Sequence, residues 1–207
     1  MLPLFPLQIV VFPGEPVNLH IFEPRYRQMI QECDANGTTF GIAAFIGEKV
    51  MDLGTEMELL SVEKRYEKGE MDIKTRGIGL FRVERIHKKA PGKLYPGAEI
   101  SPVENGMDGD PQLAPLLLDK LRELFQHIEV EKELPDNPLS VKSYDYAHLV
   151  GFSLAQEYAF LNILDEAERQ HFLLEHLETI LPTLLEIEEI RRKAQMNGHF
   201  KNLIPPF

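Results

Sequence analysis

The sequence predicts an α+β protein: a small closed or nearly closed β-barrel followed by a helical bundle. Three observations predict it. Residues 1–104 hold six or so short apolar segments, rich in β-branched residues and punctuated by Pro and Gly. From residue 112 the apolar positions recur at helical spacing instead. Between the two lies the polar run "NGMDGDP" (105–111), which reads as a linker. The expected division is a barrel over 1–104, a helical bundle over 112–195 and a C-terminal tail over 196–207.

The strand segments come in order. "FPLQIVVF" is a short apolar run closed by the turn signal Pro13-Gly14, and "VNLHIF" follows as a second strand. Prolines at strand edges and corners cost no ladder bond, because no N–H is needed there. The period then changes. Pro24 suits the first turn of a helix, where its missing N–H would be unpaired anyway. Phe22, Tyr26, Met29 and Cys33 fall on one face of that helix, and Asn36-Gly37 is its stop. "TTFGIAAFIG" is the next strand. After a polar loop, "TEMELLSVEKRYE" pairs through the tight turn "KGE" with "MDIKTRGIGLFRVERIHK". That last run is long, and Gly77 and Gly79 are expected to bend or bulge it. "LYPGAEISPVE" completes the strands.

In the second half, Leu117, Leu121, Leu124, Phe125 and Ile128 define a helix. "SYDYAHLVGFSLA" and "QEYAFLNIL" read as short helices. Leu173, Leu177, Ile180, Leu184 and Ile187 form an apolar seam on a longer one, with a kink or restart expected at Pro182. The helix is expected to end at Asn197-Gly198. The tail's Phe200, Leu203, Ile204 and Phe207 are expected to dock.

Charge narrows the function. The chain has 207 residues and a formal net charge of -11. Residues 1–103 carry 13 Lys and Arg against 14 Asp and Glu, and the remainder 9 against 19, so the acidity belongs to the helical half. An acidic chain is repelled by phosphate backbones, which argues against nucleic acid as a partner. Cys33 is the single cysteine, so neither an intrachain disulfide nor a cysteine zinc cluster can form. The N-terminus lacks the basic residues of a signal peptide, and no apolar run is long enough to span a bilayer. A cytoplasmic protein with no membrane association is the expectation.

The opening "LPLFPLQIVVFPGEPVNLHIFEPRYRQMI" resembles the start of the N-terminal, substrate-binding domain of Lon proteases. That family begins with an LPLFPL-type strand, then VVFPG, then an IFE-x-RY segment entering a helix. "GTEMELLSVEKRYEKGEMDIKTRGIGLFRVERI" (54–86) resembles the family's next hairpin, with Leu80 where Arg is frequent. "SLAQEYAFLNILDEAERQHFLLEHLETIL" is similar to its C-terminal helices. The resemblance covers roughly residues 1–195. It implies a PUA-like β-barrel followed by a helical bundle, and a part in capturing substrates. The Walker A pattern and the family's Ser–Lys peptidase domain are not in this sequence, so the expectation is a stand-alone, non-catalytic domain without cofactor or metal.

The expected function is recognition of unfolded or damaged polypeptide segments, which a separate protease would then receive. The candidate peptide-binding residues are Phe22, Arg25 and Tyr26 at the strand-to-helix junction, and the aromatic group Tyr144, Tyr146, Phe152 and Tyr158. Each has an ordinary structural reading beside it: Glu23 capping the helix, Tyr26 packing inward, Arg25 in an ion pair, the aromatics in a core. Other chemistry has less support. His171 and His176 are five apart, which does not place two imidazoles on one helix face. Cys33 lies on an apolar face as an inert thiol would. The carboxylate runs 165–168 and 186–190 read as solvated helix faces. Three rivals remain. Lys64, Arg65, Lys68, Arg85, Lys88, Lys89 and Lys93 make a basic strip that an RNA-binding PUA-like protein would use. The helical seam would serve a scaffold with a dedicated partner. An ATP-independent peptidase would need a dyad or metal motif, which the sequence lacks.

Overall fold

Six strands and one helix make up most of the first half of the chain: β1 (Leu2–Leu7), β2 (Pro16–Ile21), α1 (Pro24–Asn36), β3 (Phe40–Ile46), β4 (Lys49–Arg65), β5 (Met71–His87) and β6 (Gly97–Val103). Then come α2 (Leu113–Phe125), α3 (Leu154–Leu161) and α4 (Glu166–Phe200), with 3-10 turns at Pro138–Ser140 and Ser143–Leu149. The computed structural model describes residues 1–128, 130 and 132–200, with residues 195–200 as backbone only. The architecture is α+β.

The sheet runs in the order β2-β5-β4-β3-β1-β6, and β5 also pairs with β6. The second pairing closes β5, β4, β3, β1 and β6 into a ring, with β2 appended outside it. The length of β5 makes this possible. Its first part, Met71–Arg76, pairs with β2, and its second, Leu80–His87, pairs with β6. The change of partner falls at the two glycines. Met57 pairs with Gly77 and Glu56 with Gly79, so Ile78 is the extra residue of a bulge. Gly77 is also obligatory for space. A Cβ there would lie 2.7 Å from the Phe12 carbonyl oxygen. That proximity lets Gly77 N–H donate to Glu15 O at 2.9 Å and Gly77 O accept from Gly14 N–H at 2.8 Å.

The inner face of the ring carries Leu2, Leu4, Ala43, Phe81 and Ala98, with Val50, Val83 and Ile100 against them. Small residues face the one large ring. A Cβ on Gly41 would meet Phe81 at 2.6 Å, and one on Gly54 at 2.5 Å. Phe81 therefore fills the interior, as the side chains of a narrow barrel do. A second core lies where α1 covers the strands. It holds Tyr26, Met29, Ile30 and Cys33 from α1 with Phe5, Phe40, Ile42, Met57, Met71 and Ile73.

Several sequence expectations are corrected. The first strand is Leu2–Leu7, not residues 5–12. Residues 8–12 leave the ladder, and side chains take up backbone groups of Val11 and Phe12. Thr55 Oγ1 donates to the Val11 carbonyl, and Phe12 N–H donates to Glu15 Oε2 at 2.9 Å. Val10, Val11 and Phe12 are nonetheless buried. The polar loop expected before residue 55 is strand, since Gly47 and Glu48, both at positive φ, make a two-residue hairpin turn from β3 into β4. α4 does not restart at Pro182 but runs through it. The bond that Pro182 cannot make would go to Glu178, and both residues are exposed, so water can satisfy the carbonyl. α4 also passes Asn197-Gly198 without ending. The docking expected of the Phe200 side chain and of Leu203, Ile204 and Phe207 lies outside what is described.

The chain falls into two compact units. One joins Met1–Met107 with Tyr144–Asp165, so α3 and the 3-10 turn before it belong with the sheet. The other joins Asp108–Ser143 with the helix that starts at Glu166. In this second unit α2 packs on α4, and Leu117, Leu121 and Leu124 of α2 and Leu173 and Leu177 of α4 are buried. Of the expected seam, Ile180 and Leu184 are half-buried and Ile187 is exposed.

Candidate functional site

Strand direction determines where the ring opens. β1 and β3 run parallel, β4 and β6 run against their neighbours, and β5 runs against both β4 and β6. The ends of β1, β3 and β5 and the starts of β4 and β6 therefore share one mouth. A cavity of about 520 Å³ lies there, lined by Pro6, Phe45, Val50, Ile86 and Pro96 with Arg25, Tyr26 and Lys88. Pro6 lies two residues beyond Leu4, and Phe45 two beyond Ala43, so both continue the inner face. Val50 in turn packs against the cluster that holds Phe81, so Phe81 occupies the interior of the ring on the inner side of this lining.

α1 forms one side of this mouth. Pro24 opens the helix, and Gly37 closes it at φ 62°. Tyr26 is buried against Phe5, with ring centroids 3.9 Å apart, and burial raises its hydroxyl above the ordinary pKa of 10. The Arg25 guanidinium lies 4.6 Å from the Tyr26 ring centroid and pairs with Glu23 at 2.8 Å. Glu23 occupies the cap position, but its side chain makes no cap bond because it holds Arg25. Lys88 has no ion-pair partner among the described residues. The cavity thus presents an apolar floor, mostly of proline, aliphatic and aromatic side chains, and two cations.

The structure separates the sequence-derived candidates. Arg25 and Tyr26 line the mouth. Phe22 is 60% exposed and stacks on His20, away from the cavity lining. Tyr144 stacks on Phe12 at 5.0 Å, and Phe152 lies 5.5 Å from Phe160, within one aromatic cluster of the first unit. Tyr146 is buried. Tyr158 donates to Asp52 Oδ1 at 2.6 Å and accepts from Leu53 N–H at 3.1 Å. Pro6, Phe45, Val50, Ile86 and Pro96 escaped the sequence reading. Their only signal is that each is an apolar residue at or next to a strand end.

Other groups are engaged within the units. His148, next to Phe12, contacts Glu157 at 2.7 Å and Glu15 at 3.2 Å. Burial would lower its pKa, but the two carboxylates outweigh burial and bring it up to about 9. Cys33 is buried, and desolvation raises its thiol further. Of the basic strip, Arg65 pairs with Asp34, Arg85 with Glu99 and Lys93 with Glu32. Among the described residues no three His, Cys, Asp or Glu side chains converge as a metal site, and no helix is long and apolar enough to cross a membrane.

Comparison with known proteins gives the family. Residues 1–179 match the model of the ATP-dependent protease La (LON) substrate-binding domain. Among solved structures, a Lon N-terminal domain protein from Xanthomonas campestris is similar at 26% identity and a TM-score of 0.63, over 84% of this chain and 96% of that one. The N-terminal domain of a Mycobacterium avium complex Lon protease shares the fold at 19% identity and a TM-score of 0.61, over 86% and 97%. No curated protein matches. The match over most of its length places this chain in the LON substrate-binding domain family.

Proposed function

We propose that the protein recognises unfolded or damaged polypeptide segments without acting on them chemically, in the cytoplasm, and that the mouth of the ring is where it holds them. The observation that carries this reading is the cavity of about 520 Å³ at the strand ends. Its volume is in the range of ligand sites, and its lining is mostly apolar with few polar groups. Such a recess takes apolar side chains at low sequence selectivity, as capture of unfolded segments requires. Proline, aliphatic, aromatic and cationic side chains suit holding a chain, not cutting it, and a separate protease would receive what is held. Among the described residues β2 pairs in the sheet only with β5, so its outer edge is a second place where an extended segment can add.

Fluorescence anisotropy tests the reading with labelled apolar and polar peptides, and a labelled RNA beside them at two salt concentrations. Apolar peptides bind saturably. The substitution Ile86→Asp, at a position 41% exposed, abolishes that binding without unfolding the protein. RNA binding without peptide binding overturns the proposal in favour of the RNA-binding alternative. Peptide binding unchanged by Ile86→Asp removes the mouth from it.

A further inference from the structure

We infer that the mouth of the ring selects the C-terminal end of a polypeptide, an apolar terminal side chain together with its free carboxylate. This rests on the proposed recognition of polypeptide at that mouth and goes further by naming which part of the chain enters. Three observations converge. Among the described residues, the only charged ones lining the cavity are Arg25 and Lys88, both cationic, in a protein whose net charge is -11. Glu23 partly neutralises Arg25 from outside the lining, whereas Lys88 has no ion-pair partner among the described residues. The first turn of α1, which supplies Arg25 and Tyr26, adds the positive end of a helix dipole to the same rim. The occupant is therefore anionic at the rim.

The second observation is the filled interior of the ring behind the lining. Phe81 fills the ring, in space left by Gly41 and Gly54. A chain cannot be threaded through, but an end can be inserted. The third is the apolar lining itself: Pro6, Phe45, Val50 and Ile86 accept a terminal side chain of the Val, Leu or Phe kind, and a charged one would be desolvated without a partner. A polypeptide has two ends. The amino end carries a positive charge, which Arg25 and Lys88 repel, and the carboxyl end meets two donors with which it forms charge-assisted bonds.

The test uses the full chain and a labelled Gly/Ser peptide ending in Val-Leu-Phe, once as the free acid and once as the C-terminal amide. The free acid is expected to bind about tenfold more tightly, the value of one added charge-assisted hydrogen bond. Lys88→Gln, a substitution at an exposed residue, is expected to weaken the acid more than the amide and so shrink the preference. Equal binding of acid and amide overturns the C-terminal inference while leaving recognition at the mouth intact. An acid preference that survives both Lys88→Gln and Arg25→Gln overturns the assignment to this rim. Binding of neither peptide, nor of longer unfolded segments, overturns recognition itself and this inference with it.

Discussion

Arg169 and Glu166 form an ion pair 2.8 Å long in the first turns of α4, with both side chains sealed from solvent. The Glu166 carboxylate also accepts the Ser143 N–H at 2.7 Å, so it anchors the segment that precedes it as well as the helix. A buried pair of this kind matters most when it is broken on one side, because the remaining charge is stranded without water. Arg169→Met is expected to destabilise the second unit by about 3–5 kcal/mol. Chemical denaturation measures it. Replacing Arg169 and Glu166 together with apolar residues is expected to cost less than either change alone.

The interior of the ring makes an opposite kind of demand. Gly54→Ala would bring a Cβ to 2.5 Å from the Phe81 ring and 2.7 Å from the Ile42 carbonyl oxygen. The backbone contact cannot be relieved by a rotamer change. The substitution is expected to destabilise by about 1–3 kcal/mol. Adding Phe81→Leu should recover only part of it, since the carbonyl stays in place. Thermal denaturation of the single and double variants decides this.

His148 predicts a pH dependence. Its folded pKa is raised to about 9 from an ordinary 6.5, so the folded state holds the proton more tightly than the unfolded one. The stabilisation is complete below about pH 6.5 and declines as pH rises through 9. His148→Gln is therefore expected to lower Tm at pH 6, with the difference from the natural protein shrinking towards pH 10. A difference constant with pH would show that the imidazole contributes packing on Phe12 and no charge.

Tyr158 joins α3 to β4 through two bonds, to Asp52 and from the Leu53 N–H. Leu53 is fully buried, and Tyr158→Phe leaves its N–H unpaired. The expected cost is about 1–3 kcal/mol. The Asp52 carboxyl, held below its usual range chiefly by the Tyr158 hydroxyl, should rise towards it in the variant. NMR titration of the Asp52 side chain reads the shift separately from the loss of stability.

The helix α1 was legible because local rules decide it. Pro24 and Gly37 bound it, and Tyr26, Met29 and Cys33 are buried as their spacing predicts. Phe22 broke the pattern because it precedes the helix and obeys no helical period. The glycine bulge at Gly77–Gly79 was legible for the same reason. The cavity was not. Its lining comes from four strand ends, a loop and a helix start, between Pro6 and Pro96, and no local period relates them. The contact between His148 and Glu15 spans 133 positions and was equally hidden. The break at residues 8–12 escaped because apolar residues can be buried without joining a ladder, here through Thr55 and Glu15.

The seam of the ring has a consequence for how the chain acquires and keeps its fold. Within the ring, β1 comes first in chain order and meets β6, the ring's last strand, through Leu2 with Ala98 and Pro3 with Gly97. A nascent chain therefore carries an apolar strand with one side uncovered until β6 has left the ribosome, a long-range closure of the slow kind. The β1–β6 register is short, and Pro3 brings no N–H to it, whereas β4 and β5 pair along most of their length. Breathing of the barrel should begin at this latch, so amide exchange there is expected to outpace exchange along β5.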